Sequence, residues 1–275
     1  MSEDPRALLR QLETRARKRF GQHFLTGTDT VDRIVRGARV EAGDRVVEIG
    51  PGLGILTRAL LRAGAEVTAV ELDRDLAAYI REDLPQIELI EGDAAKVDWA
   101  AVVEPGTKVV ANLPYNIGTK VLMQLLRTPG RFRSITVMLQ KEVVDRLMAS
   151  PGSRKYGALT VESAVWGQPV YVMTVEPGAF HPPPKVRSAV VRFDVFPDGP
   201  RVGSVEPKFF DRVVRSGFSQ RRKTLRNSMG GLFDKQKVVD ALVDRGLSEL
   251  SRAEALSVDD FRALAASLAE KPSAQ

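Results

Sequence analysis

The pentapeptide Asn112-Leu113-Pro114-Tyr115-Asn116 follows the apolar run Lys108-Val109-Val110-Ala111. It gathers groups suited to holding a flat, amine-bearing ring. Pro114 has no N–H and pushes Leu113 toward an extended conformation, so the carbonyls of residues 112 to 114 are expected to stay out of the turn as free acceptors. Asn112 adds a side-chain oxygen, and Tyr115 adds a face on which a planar base can stack. The pentapeptide alone could equally be an Asn-capped turn with a surface tyrosine. Its neighbours give the chemical reading weight.

Three further loops point the same way. Residues 48 to 57 read Glu-Ile-Gly-Pro-Gly-Leu-Gly-Ile-Leu-Thr, with Gly50, Gly52 and Gly54 letting the backbone approach a ligand closely. This is not the G-x-G-x-x-G dinucleotide fingerprint, because Ile55 stands where the third glycine would fall. About 20 residues on, Glu71 ends a β-type run where an acid can accept both hydroxyls of a ribose. Asp93, in Glu91-Gly92-Asp93-Ala94, is placed to accept from the exocyclic amine of an adenine, with the Ala94 N–H available to its ring. Together these loops predict an adenosine-containing cofactor without a pyrophosphate site.

Such loops need a scaffold that brings them to one edge. Short β-branched runs at 44–50, 65–73, 86–93, 107–114 and 134–140 alternate with helical spacing at 55–64, 74–83 and 118–128. That alternation predicts a parallel sheet with helices on both faces, an α/β fold whose ligands lie at the carboxyl ends of the strands. A helix is expected around 158–166, with strands near 169–176 and 186–195. Residues 196 to 204 carry two prolines and two glycines, and every later segment, at 207–218, 221–229, 235–245 and 257–269, has helical spacing. A domain boundary is therefore expected near residue 198. Residues 1–198 would form the domain that carries these loops, with a basic segment at 1–25, and 199–275 a small helical domain.

The chain has 41 Lys and Arg against 35 Asp and Glu, a net charge of +6. This balance favours a polyanionic partner. Six basic residues and no acid lie between Arg212 and Arg226, and residues 10 to 19 hold five basic residues against Glu13. No cysteine and only two histidines are present, which argues against disulfides, thiolate chemistry and a histidine-built metal centre. No apolar stretch approaches the roughly 20 residues of a membrane span, so a cytoplasmic protein is expected.

Lys18 to Leu25 (KRFGQHFL), EIGPGLGILT, Val70 to Asp73 (VELD), EGDA, Asn112 to Ile117 (NLPYNI), Phe180 to Ser188 (FHPPPKVRS) and Gln220 to Ser228 (QRRKTLRNS) occur in one order along the chain. In these motifs it resembles the 16S ribosomal RNA adenine N6,N6-dimethyltransferase family over nearly its whole length. The resemblance implies a Rossmann-like, seven-stranded class I methyltransferase sheet and S-adenosyl-L-methionine as methyl donor. It implies dimethylation of two adjacent adenosines near the 3′ end of 16S rRNA in the immature 30S subunit; the basic clusters suggest a monomer on a large RNA, and the histidine and cysteine counts a chemistry without metal. Carried over by motif, His23, Leu25, Gly50, Glu71, Asp93 and Asn112 would contact the cofactor; the family often has Asn at the position of His23. Asn112, Leu113, Pro114 and Tyr115 would receive the target base, with Phe180 as its second stacking face. Arg221, Arg222, Lys223 and Arg226 would hold rRNA phosphates. Two alternatives remain at this point: a 23S rRNA dimethyltransferase of the macrolide-resistance type, and a ribosome assembly factor acting mainly by binding.

Overall fold

A computed structural model describes residues 23–269. The basic segment at residues 10–19 and the first five residues of KRFGQHFL lie outside the described residues. The described residues divide into two compact units, one of residues 23–144 with 169–199 and the other of 145–168 with 200–269. The helical stretch near 158 thus belongs with the C-terminal helices, not with the sheet on which the expected boundary at 198 placed it.

The first unit is built on seven hydrogen-bonded strands. In chain order its strands are β1 (Phe24–Leu25), β2 (Arg45–Ile49), β3 (Glu66–Glu71), β4 (Glu88–Glu91), β5 (Thr107–Asn112), β6 (Phe132–Gln140), β7 (Gly167–Val175), β8 (Phe180–His181) and β9 (Ser188–Val195). The large sheet runs β4-β3-β2-β5-β6-β9-β7, while β1 and β8 form a separate pair. Helices α1 (Thr28–Gly37), α2 (Ile55–Arg62), α3 (Arg74–Asp83), α4 (Trp99–Val102) and α5 (Gly118–Leu126) fall between the early strands. Central strands are apolar on both faces, as in β5, where Val109 and Val110 are fully buried. Helix α3 starts where the Asp73 carboxylate accepts from the Asp75 N–H at 3.1 Å.

The expectation of a parallel sheet holds for the five runs it was drawn from, and the later strands depart from it. Strands β4, β3, β2, β5 and β6 pair in parallel, but β9 runs antiparallel to β6. A parallel strand requires a long crossover, usually a helix. Between β7 and β9 the chain offers only a 3₁₀ turn at Pro177–Ala179 and the two residues of β8. Reversal has a consequence for the site, because Ser188, the first residue of β9, pairs with Gln140, the last of β6. The antiparallel strand thus delivers its starting end to the edge where the parallel strands finish.

The second unit contains helices α7 (Ala158–Ala164), α8 (Pro207–Phe218), α9 (Leu225–Met229), α10 (Lys235–Asp244) and α11 (Val258–Ala269); α6 (Lys141–Leu147) spans the division. Its centre is aromatic. The Phe218 ring stacks on Phe261 at 5.4 Å and meets Tyr156 edge-on at 5.9 Å, while the Tyr156 hydroxyl donates to the Leu256 carbonyl. Helix α9 begins at Leu225, not at residue 221, so Arg221 to Lys223 lie in a turn.

Candidate active site

Strand order reverses between β2 and β5: from β2 the chain passes to β3 and β4 on one side, and β5 lies on the other. Crevices at such switch points are where open α/β sheets bind ligands. Ile49 is in register with Ala111, so Gly50 and Asn112 leave the sheet side by side. A pocket there is lined by His23, Gly50, Glu71, Asp93, Asn112 and Tyr115, among others.

One rim follows β2, β3 and β4. Gly50 has φ 70° and a Cβ added to it would meet nothing within 4 Å, so the loop surface opens into the pocket at that point. Gly52 has φ 57°, and an added Cβ would come within 3.0 Å of the Phe24 ring. Both positions favour glycine for their backbone angle. The Gly52 N–H donates to Glu71 Oε2 at 3.2 Å, and the Asp73 N–H donates to Glu71 Oε1 at 2.9 Å. Glu71 is therefore clamped by backbone N–H groups while it borders the pocket. Burial pushes its carboxyl above the ordinary range, opposed by those backbone N–H groups. The Asp93 Oδ1 accepts from the Ala95 N–H at 2.9 Å, leaving Oδ2 to accept from a ligand amine.

Glu48 was not assigned a role by sequence reasoning. It is 1% exposed, and its Oε2 has no hydrogen-bond partner among the described residues. Burial, reinforced by the neighbouring Glu71 charge, pushes its carboxyl up to about 8, so at neutral pH it is mainly protonated. An acid inside the buried run Arg-Val-Val-Glu-Ile was the available signal.

The other rim is the end of β5. The Asn112 Nδ2 donates to the His23 carbonyl at 3.0 Å, which fixes the amide so that Oδ1 remains the acceptor. The carbonyl of Pro114 is not free, contrary to expectation. It accepts from the Ile117 N–H at 3.2 Å and the Gly118 N–H at 2.8 Å, because the first N–H groups of α5 need acceptors. The acceptor pair narrows to Asn112 Oδ1 and the Leu113 carbonyl, with Pro114 shaping the turn. The Tyr115 hydroxyl hydrogen-bonds Ser188 Oγ at 2.6 Å, and the Tyr115 ring lies 5.5 Å from the His23 ring at 33°. Burial raises the Tyr115 phenol, so it stays protonated. The His23 Nδ1 donates to the Pro182 carbonyl at 2.8 Å.

Phe180 is not among the residues lining this pocket. It pairs with Leu25 across β1 and β8 and is 3% exposed in an apolar cluster with Val31 and Ile34. Its aromatic ring is used as core. Leu25 shares that cluster and also borders the pocket. Ser188 had no signal of its own, since its partner is 73 residues away.

In the second unit the basic run separates into two kinds. Arg212 lies 5.0 Å from the Phe209 ring centre, Arg215 pairs with the buried Glu162 at 2.7 Å, and Arg221 bonds the Arg154 carbonyl and pairs with Glu254 at 3.4 Å. Arg222, Lys223 and Arg226 are exposed. Their charges remain available to a ligand.

The donor set fits S-adenosylmethionine: an open glycine cradle, the buried Glu71 carboxylate, an unengaged Asp93 oxygen and a buried Glu48 whose Oε2 has no partner among the described residues. A family model described as ribosomal RNA adenine dimethylase matches residues 13–270. Ribosomal RNA small subunit methyltransferase A of Syntrophotalea carbinolica is 45% identical, covering 91% of this chain and 96% of that protein. The protein of the same name from Thermosynechococcus vestitus is 47% identical, over 91% and 96%. Among solved structures, a dimethyladenosine transferase from Plasmodium falciparum superposes with a TM-score of 0.75 at 26% identity, covering 88% of this chain and 96% of that one. A 23S rRNA methyltransferase, ErmE, gives 0.69 at 25%, covering 90% and 100%.

Proposed function

The chain belongs to the ribosomal RNA adenine dimethylase family, and from that premise we propose that it dimethylates N6 of two adjacent adenosines near the 3′ end of 16S rRNA, within the immature 30S subunit and as a monomer. It is an S-adenosylmethionine-dependent methyltransferase with a Rossmann-like fold. The single observation that carries the acceptor assignment is the Asn112 amide, turned by the His23 carbonyl so that Oδ1 is left as acceptor beside Tyr115. Identity of 41% or more to proteins named for the small subunit favours that rRNA over the 23S alternative.

Adenine N6 is a weak nucleophile because its lone pair is delocalised into the ring. Asn112 Oδ1 and the Leu113 carbonyl, accepting both N6 hydrogens, favour the pyramidal amine whose lone pair can attack. Tyr115 stacks the base and offsets part of the few kcal/mol that leaving the RNA stack costs. Once bound, the cofactor supplies an already activated methyl group. The protein's task is alignment, bringing the reacting atoms to about 3–3.5 Å. No general base is required, since a methylated ammonium loses its proton readily. After the first transfer one N6 hydrogen remains, so a single acceptor suffices for the second.

Glu71 would hold the ribose hydroxyls and Asp93 the cofactor's amine, beside the open surface at Gly50. Arg222, Lys223 and Arg226 would hold rRNA phosphates, whereas Arg221, bonded to Arg154 and Glu254, would mainly shape the turn that presents them. Among the described residues no helix is long and apolar enough to cross a membrane.

Primer extension on immature 30S particles treated with the protein and S-adenosylmethionine tests the reading. Stops at two adjacent adenosines near the 3′ end of 16S rRNA are expected. Stops in 23S rRNA instead would sink the choice of substrate. Full restoration of subunit assembly by an inactive Asn112→Ala variant would make the enzymatic role secondary to binding.

A further inference from the structure

Resting on that functional reading, we propose that Phe209, Arg212 and Phe233 form a stacking platform for one unpaired rRNA base, a second base-binding site whose residues are not among those lining the pocket.

Phe209 and Phe210 are neighbours on α8, about 100° apart around its axis. Phe210 is fully buried, while Phe209 is half-buried and shares its face with Arg212, one turn on. The Phe209 ring meets the Phe233 ring edge-on, with centres 6.0 Å apart and planes at 87°. The Arg212 guanidinium caps both rings, its carbon 5.0 Å from the Phe209 centre and 5.9 Å from that of Phe233. Arg215 and Arg221 are each paired with a carboxylate, but among the described residues Arg212 has no ion pair, and it is exposed. Rings hold its guanidinium on one side and water meets it on the other. A flat cation presented in that way matches the π-face of a nucleobase.

The turn that carries Phe233 ties the platform to the basic surface. The Leu232 and Phe233 N–H groups both donate to the Met229 carbonyl, at 2.9 and 3.0 Å, which fastens the turn to the end of α9. A Cβ added at Gly230 would come 2.5 Å from the Lys235 stem and 3.0 Å from the Arg226 carbonyl, so both residues pack against this turn. Lys235 and Arg226 are exposed, and the adjoining Asp234 carboxylate accepts from the Gln236 and Lys237 N–H groups at 2.9 Å each. Leu232, 65% exposed, extends the apolar surface. Rings bordered by cations suit one class of ligand group. A phosphate alone would gain nothing from the rings, and a paired base has no free face to offer. An unpaired base uses both, its ring stacked on the platform and its flanking phosphates beside Arg226 and Lys235.

Binding of the full chain to immature 30S particles, titrated over a range of potassium chloride concentrations, tests the platform. Arg212→Lys keeps the charge and removes the plane; Phe233→Leu keeps apolar volume and removes the ring. Each is expected to weaken binding by about fivefold, the lower end of what one stacked base contributes. The slope of log affinity against log salt should match wild type, because no phosphate contact is lost. Arg226→Ala in the same series should reduce that slope. Wild-type affinity in Arg212→Lys would overturn the proposal, since a phosphate contact survives the exchange of one cation for another and a stacked base does not. A weakened Phe233→Leu with a reduced salt slope would overturn it too. Should Phe233→Leu fail to fold, the exposed Arg212→Lys decides alone. Binding and methylation by the wild-type chain on the same particles tell the failures apart: without them the functional reading fails, and with them variants that bind as wild type overturn this inference alone.

Discussion

The pocket's two rims are held together over different sequence distances. On the rim proposed for the cofactor Gly52 bonds Glu71 across 19 residues, while Glu71 to Asp73 and Asp93 to Ala95 each span two. On the rim proposed for the target base Asn112 reaches His23 across 89 residues, Tyr115 reaches Ser188 across 73, and His23 reaches Pro182 across 159. A local clamp forms wherever its strand and turn form. The distant clamp exists only once β1, β8 and β9 have all reached the carboxyl edge of the sheet. The rim proposed for the cofactor is thus set by neighbouring strand ends and their turns, and the rim proposed for the target base by the assembled unit.

If that division is right, damage to each rim should register in a different observable. The largest effect is expected for Asn112→Ala, which removes the Oδ1 acceptor. Methyl transfer should fall by about 10²-fold or more, as positioning losses do, with RNA binding unchanged. Retention of a tenth of the rate would take the acceptor role away from Asn112. Next comes Gly50→Val on the opposite rim. A branched side chain at φ 70° is strained and would project into open pocket space, so cofactor Kd by calorimetry should rise about tenfold or more. An unchanged Kd would show that the cradle is not where the cofactor lies.

A smaller effect is expected away from both rims. Replacing Arg222, Lys223 and Arg226 together by alanine should weaken RNA binding by about tenfold, reducing the slope of log affinity against log salt by about 0.7–0.9 per lost phosphate contact. Cofactor affinity should not move. Arg221→Ala, by contrast, should lower the thermal midpoint through loss of its Arg154 and Glu254 contacts. A normal salt slope in the triple variant would place the RNA elsewhere.

The smallest effect concerns Glu48. Folded, it keeps its proton up to about pH 8, against an ordinary value of 4.5. The folded chain therefore binds more protons between those values. This group's contribution to stability is full below about pH 4.5 and is lost as the pH rises toward 8. Glu48→Gln, neutral throughout, should flatten the decline of the thermal midpoint across that window by a few degrees. Parallel curves for the two proteins would show that Glu48 is ionised without penalty.

Legibility in the sequence followed the same division. Gly50, Glu71 and Asp93 could be singled out because each stands at or just past the end of a β-branched run, and the alternation of runs gave the α/β layers. Tyr115 and Asn112 could be singled out and do line the pocket, but what holds them was not legible, since nothing near Ser188 or Pro182 marks a partner 73 or 159 residues away. Pro114 misled for a local reason. Its missing N–H suggested free carbonyls, while the start of α5 claimed the Pro114 oxygen twice. Phe180 carried the same aromatic type the site requires, and only burial shows that it serves the core. The antiparallel β9 was hidden because a strand's direction depends on its connection and not on its composition.

Two matched substitutions test the separation of the rims most directly. Cofactor Kd and single-turnover methyl transfer at saturating cofactor would be measured side by side for Glu71→Ala and Tyr115→Ala. Glu71→Ala should weaken cofactor binding by about tenfold or more, the loss of charge-assisted hydrogen bonds to the ribose, while Tyr115→Ala should keep Kd within twofold of wild type and slow transfer. A Tyr115→Ala enzyme that loses the cofactor, or a Glu71→Ala enzyme that keeps it, would contradict a pocket with one rim for the methyl donor and one for its acceptor.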